Sequence, residues 1–182
     1  MKRLFLIAGM MSALALAIVA SSMAAANFAG TWVLDKAKSQ GLNQRLQGAD
    51  KVTWTITQDD KTISIDQKVE GGQPPAGGGG GGGGMGGGRP PAGPMTYNLD
   101  GKEVTADQPM GQATAKVTSK ATWAASDLEL SRKSVFQGPN GEVTSTTTQK
   151  LSLSADGKVL TATVHSESPR GAQDSTLVFN KQ

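Results

Sequence analysis

The 182-residue chain contains no cysteine. Disulfides, thiolate metal ligation, thiol catalysis and a lipid anchor on a terminal cysteine are therefore excluded. Histidine is nearly absent as well: His165 stands alone, so a His-rich metal centre cannot form and a histidine triad has a single candidate base. Aromatic residues are few, with four Phe, three Trp and one Tyr. No G-x-S-x-G elbow occurs, and the abundant Ser and Thr read as strand-surface residues, so nucleophilic catalysis has no support. A large charge excess is missing too, the formal net charge being +3.

Glycine is in excess, with 24 residues. Fourteen of them lie between Gly71 and Gly93 and the other ten are scattered, which confines the excess to one tract and excludes a collagen-like chain. Pro74-Pro75 and Pro90-Pro91 frame that tract, and Arg89 is its one charge. It lacks the G-K-[ST] ending of a phosphate-binding loop, and no helical pattern comes after it. Its composition predicts a disordered Gly/Pro-rich loop over 71–94, read as a tolerated insertion in preference to a functional lid.

At the N-terminus Lys2 and Arg3 precede the apolar run Leu4 to Ala20, and Ser21-Ser22-Met23-Ala24-Ala25-Ala26 comes next. A basic start, an apolar centre and a small-residue cleavage site describe a signal peptide over 1–26. The alternative is a retained anchor, but the run is at the short end of the roughly 17–25 residues that span a bilayer. Cleavage after Ala26 predicts a single domain at 27–182, exported to the periplasm or beyond the cell, with no membrane span left. Loss of Lys2 and Arg3 lowers the formal charge from +3 to +1, which removes the electrostatic basis for nucleic-acid binding.

Period-two alternation dominates the rest. It predicts strands at 29–35, 51–58, 61–70 and 95–99, a short one around Val104, then 112–124, 128–137, 142–153, 158–166 and 174–181. The inward faces carry Gly30, Trp32 and Leu34, then Val52, Trp54 and Ile56, then Ile63, Ile65 and Val69, then Met95, Tyr97 and Leu99. Further on they carry Ala113, Ala115, Val117, Ala121 and Trp123. The one candidate helix is 36–48, which Gly41 weakens. About ten strands without a helix-length pattern imply an all-β, antiparallel up-and-down meander forming a barrel. Its outward positions, such as Thr53, Thr55, Lys116, Lys120 and Lys150, are too polar to face lipid, so an outer-membrane barrel is excluded.

In such a meander the connections alternate between two ends. Asp59-Asp60, Asp100-Gly101, Ala125-Ser126-Asp127 and Ser154-Ala155-Asp156-Gly157 read as tight turns at one end, with Asp100-Gly101 as a hairpin turn. The connections 36–50, 71–94, 106–111, 138–141 and 167–173 fall at the other, and most of them read as long or irregular. That end is the expected ligand portal; the alternative is that long loops merely collect where they do no harm.

The residues carry a resemblance at this point. Phe28-Ala29-Gly30-Thr31-Trp32-Val33-Leu34 resembles the opening G-x-W strand of the calycins, the lipocalins and fatty-acid-binding proteins. Ser175 to Lys181 is similar to the closing strand of the fatty-acid-binding branch. The segments GTWVLDKAKS and LSADGKVLTATV resemble exported bacterial lipocalin-like proteins. Without residues 71–94 the exported chain of 156 residues has 132, about the length of that branch's ten-stranded barrel. The resemblance implies an interior cavity for a small apolar ligand, and in the fatty-acid-binding branch an inward Arg and Tyr that hold a carboxylate. Two parts of that pattern are missing: 36–50 is too short for a helical lid of two helices, and Leu177-Val178-Phe179-Asn180-Lys181 has no Arg-x-Tyr pair.

Arg132 is the sharpest candidate for ligand binding. Leu128 and Leu130 set the inward face of their strand, which places Arg132 and Ser134 inward. On the next strand Ser145, Thr147 and Gln149 share the face of Val143, Leu151 and Leu153. Polar groups at mid-depth on two neighbouring strands suit a solvated cavity with an anion partner for Arg132, not a filled apolar core. The alternatives are a bulge after Leu130 that turns Arg132 outward, or stacking of Arg132 on Trp32 at the barrel base. Trp54 and Trp123 are inward and join the candidate lining, each also readable as core. Trp32 reads as a structural plug beside Gly30, and Tyr97 as a portal residue or an ordinary cross-strand aromatic. His165 reads as an exposed strand residue, and no metal or cofactor is expected. Asp59, Asp60, Asp100, Asp127 and Asp156 are turn formers that could hold calcium only weakly. The leading expectation is an exported, non-enzymatic binding protein for a small, mostly apolar ligand held in the barrel. The alternative is a structural or partner-binding envelope protein with a filled barrel.

Overall fold

The computed structural model describes residues 25–71, 93–110, 113–138 and 141–182. Residues 1–24, nearly all of the glycine tract and the side chains of Met110 and Ala113 lie outside the described residues, as do the expectations placed on them. The elements are β1 (Gly30–Leu34), α1 (Gln44–Gly48), β2 (Lys51–Gln58), β3 (Thr62–Glu70), β4 (Met95–Asn98), β5 (Val104–Met110) and β6 (Ala113–Ala124). They continue with β7 (Asp127–Gly138), β8 (Gly141–Leu153), β9 (Val159–Ser168) and β10 (Gly171–Lys181).

All ten strands belong to one antiparallel sheet, in the order β4-β3-β2-β1-β10-β9-β8-β7-β6-β5. Chain neighbours pair throughout, with one exception, and β1 closes against β10. The exception is β4 and β5, which form the two edges. Because β4 comes into contact with β6, the sheet curls into the nearly closed antiparallel barrel expected from the strand pattern, with one unpaired seam.

Strand periodicity sets the inside of this barrel. Trp32, Trp54, Ile56, Ile63, Ile65, Leu128, Leu130, Leu151, Leu160 and Phe179 are each at most 2% exposed and form one apolar cluster. Trp54 and Phe179 meet at 4.3 Å between ring centroids. Ala115 and Val117 are buried yet stand outside that cluster. Along β6 to β9 the packed core therefore occupies the half nearest the tight turns, and the other half of those long strands has a different lining.

The G-x-W signal of the first strand has a physical cause. Gly30 has φ +141°, and a Cβ there would meet Lys181 Cε at 3.0 Å. The bare glycine lets the Lys181 ammonium lie 5.2 Å from the Trp32 ring centroid, so Lys181, not Arg132, makes the cation–π contact on Trp32. Below this, Trp32 Nε1 donates to the Phe28 carbonyl at 2.9 Å. Gln58 then holds the entering chain from both sides: its Oε1 accepts from Phe28 N at 2.9 Å and its Nε2 donates to the Ala26 carbonyl at 3.0 Å. Phe28 is fully buried and stacks on Trp123 with centroids 6.1 Å apart. Residues 26–32 thus plug the tight-turn end.

Several expectations need correction. Asp100-Gly101 does not make a hairpin: Gly101 has φ +75° and Asp100 Oδ1 accepts from Lys102 N at 3.0 Å, but β4 and β5 lie on opposite edges. Asp-Gly chemistry bends a chain locally; only strand pairing decides whether the bend is a hairpin. The strand around Val104 runs seven residues and pairs with β6 out to Met110↔Ala113. Likewise β7 and β8 pair out to Gly138↔Gly141, and β9 and β10 out to Ser168↔Gly171. Pairing therefore leaves two residues between the paired strands at each of these connections. Long connections at that end are therefore two, 35–50 and 71–94. The helix expected over 36–48 shrinks to α1, because Gly41 takes φ +66° with Asp174 O against it. The remaining helix starts at Asn43, whose side chain caps Leu46 N at 3.0 Å. Leu46 and Ala49 are buried and join the core.

Candidate functional site

The register of β6, β7 and β8 is continuous through the candidate site. Arg132 lies opposite Ser119 on one side and Thr147 on the other, so no bulge comes after Leu130 and Arg132 faces inward. Ser134 pairs with Val117 and Ser145, and Leu130 with Gln149. Ser134, Thr147 and Gln149 are the buried polar residues among those described. Thr147 Oγ1 meets Ser166 Oγ of β9 at 3.3 Å. The structure thus brings Arg132, Ser134, Ser145, Thr147 and Gln149 onto one polar inner surface.

The seam shapes this half of the barrel. By register, Val104, Ala106 and Gln108 of β5 share the inner face with Ser119, Val117 and Ala115 of β6. With no β4 beside it, that face is open: Val104 is 39% exposed, the exposed large hydrophobic residue of the described chain. Ala106, next on that face, is exposed as well. Ala115 and Val117 are the buried side chains of β6 in this half.

Arg132 reaches across β6 to this edge, and its Nη2 donates to Gln108 Oε1 at 2.8 Å. No carboxylate pairs with it among the described residues. Burial lowers the Arg132 pKa from its ordinary value, and Tyr97 opposes the shift. Burial likewise raises the pKa of the Tyr97 hydroxyl, opposed by the Arg132 charge. Tyr97, 3% exposed on β4, is part of the packed apolar cluster. One further group stands out: Gln149 Oε1 is buried without a hydrogen-bond donor. A buried acceptor of this kind costs free energy until water or a ligand supplies the donor.

Trp54 and Trp123 lie elsewhere. Trp54 is in the packed core, its Nε1 donating to Gln67 Oε1 at 3.0 Å. Trp123 lines a cleft of about 320 Å³ at the tight-turn end, with Ala25, Asn27, Gln58, Asp59, Asp60 and Leu99. The aspartates there serve their own turns: Asp59 Oδ1 accepts from Thr62 N and Lys61 N, Asp156 Oδ1 from Lys158 N, and Asp127 pairs with Lys150 at 2.9 Å. No group of three acidic or histidine side chains is poised for a metal among the described residues. Sequence reasoning missed Gln108, which it placed in a loop. The alternation Val104-Thr105-Ala106-Asp107-Gln108 was the available signal, masked by Pro109.

His165 is on the outer face, about half exposed, with Nδ1 2.5 Å from Asp174 Oδ1 and Nε2 3.3 Å from Glu167 Oε1. The Asp174 and then the Glu167 hydrogen bonds raise its pKa above the ordinary 6.5. A raised folded value means the imidazolium stabilises the fold below the unfolded pKa and stops doing so as pH rises through the folded one. His165→Gln is therefore expected to flatten the thermal midpoint against pH in the window just above 6.5. A midpoint that falls equally in both proteins across that window would assign the dependence to another group.

No helix among the described residues is long and apolar enough to cross a membrane. No family model matches the chain, and no curated protein does. Among solved structures, the zebrafish ileal bile acid-binding protein complexed with cholic acid aligns with a TM-score of 0.45 at 13% identity, covering 85% of this chain and 98% of that one.

Proposed function

We propose that the barrel is a non-enzymatic binding protein for a small, mostly apolar molecule with an anionic group, which lies in the polar half and reaches Arg132. The observation that carries this reading is Arg132 itself: an inward guanidinium with a neutral hydrogen-bond partner and no carboxylate among the described residues. A desolvated cation is costly without a counter-charge, and an anion arriving with the ligand supplies it through strong charge-assisted bonds. The unpaired edge between β4 and β5, with Val104 exposed beside it, supports entry of the ligand at this side. The sole histidine, tied to Asp174 and Glu167 on the outer face, is remote from the interior, which favours binding over acid–base catalysis. Export also belongs to this proposal. Cleavage after Ala26 gives up the Gln58 Nε2 contact with the Ala26 carbonyl but keeps Phe28, the first buried position of the plug, with its N–H held by Gln58 Oε1.

Titration with 1-anilinonaphthalene-8-sulfonate and with its uncharged analogue N-phenyl-1-naphthylamine tests the reading. The sulfonate is expected to bind at one site per chain, more tightly than the neutral probe, and to be displaced by a long-chain carboxylate. Absence of saturable binding by either probe favours the alternative of a filled, structural barrel.

A further inference from the structure

We propose that Gln108 is an internal stand-in for the ligand's anionic group: its carboxamide oxygen holds the Arg132 guanidinium in the empty protein and gives way when an anion enters. The inference rests on the binding reading above and assigns a specificity-determining residue to it. Gln108 and Arg132 are on strands that do not pair with each other. Gln108 lies opposite Ala115 and Arg132 opposite Ser119, so the two side chains must reach toward each other over Val117 to meet at 2.8 Å. This diagonal contact satisfies one guanidinium N–H without neutralising the charge.

The chemistry of the acceptor sets how firmly it holds the guanidinium. A carboxamide oxygen is a neutral partner and yields to a sulfonate or carboxylate, whose hydrogen bonds to guanidinium are about twice as strong. A carboxylate at position 108 would instead form a standing ion pair and exclude the ligand's anion. The neighbouring acid cannot play that part, because Asp107 is on the outer face, 3.8 Å from Lys116 Nζ. Displacement of Gln108 is also cheap. It sits half-buried on the edge strand beside the seam, where a released carboxamide finds water.

The test compares the two naphthyl probes on wild type, Gln108→Glu and Gln108→Ala at neutral pH. Gln108→Glu is expected to weaken sulfonate binding at least about tenfold and to leave the neutral probe unchanged. Gln108→Ala, which removes the competing acceptor, is expected to tighten the sulfonate by roughly two- to fivefold, again with the neutral probe unchanged. It keeps the question open to decision if the glutamate variant fails to fold. Both variants binding the sulfonate as wild type does, or losing both probes in parallel, would overturn the stand-in role while leaving the binding reading intact. Wild-type protein that binds neither probe removes the reading and the inference together.

Discussion

Trp32→Ala is expected to lower the free energy of unfolding by about 3–5 kcal/mol, measured by urea titration followed by far-UV circular dichroism. Trp32 is fully buried and pairs in register with Trp54 across β1 and β2. Truncation leaves a cavity within the packed core. It also removes the donor at 2.9 Å from the Phe28 carbonyl and the ring beneath the Lys181 ammonium. Since Phe28 N is held by Gln58 and Phe28 stacks on Trp123, loss of Trp32 loosens the whole plug. Trp32→Phe separates the two contributions. It keeps most of the aromatic volume but orphans the Phe28 carbonyl, for an expected cost of about 1–3 kcal/mol. An alanine variant as stable as wild type would mean that the tight-turn end is not closed by this segment.

Arg132→Met is expected to weaken the sulfonate probe on the order of 10- to 100-fold, the worth of a charge-assisted hydrogen bond, while the neutral probe binds as before. The variant is also expected to be no less stable than wild type, since a half-buried charge with a neutral partner is replaced by an apolar chain of similar length. Gln108 Oε1, released at the edge of β5, turns to solvent. The dissociation between binding and stability is what distinguishes a ligand-facing arginine from a structural one. A structural Arg132 would show the reverse: a fall in the unfolding midpoint, with both probes affected alike.

Alternation makes the strands legible. The inward faces of β1, β2 and β3 read directly from Trp32, Trp54, Ile56, Ile63 and Ile65, because a half-buried strand shows its period when one face is apolar and the other is Thr and Ser. The same rule places Arg132, Ser134, Thr147 and Gln149 inward by extension from Leu128, Leu130 and Leu151. Where the inner face itself turns polar, periodicity has nothing to count, and β5 reads too short for that reason. Its Ala106 and Gln108 carry no apolar signal, and Pro109 resembles a loop residue although β5 is an edge strand, where a missing N–H is tolerated. Asp100-Gly101 misleads in another way. A turn dipeptide reports local backbone bending, whereas the seam between β4 and β5 results from which strands find partners around the whole barrel. The Arg132–Gln108 contact depends on that arrangement across three strands and is beyond any local pattern. So is the role of Gly30, which depends on Lys181 at the far end of the chain.

Intermolecular nuclear Overhauser effects between dodecanesulfonate and the isotopically labelled protein probe the occupied half of the barrel most directly. Binding at the polar half requires contacts from the ligand's head-proximal methylenes to the Arg132 side chain, with contacts to the methyls of Ala115 and Val117 and to Val104 at the seam. Contacts confined to Leu99 and Trp123 in the cleft at the tight-turn end, with Arg132 and Gln108 resonances unmoved at saturation, would contradict it.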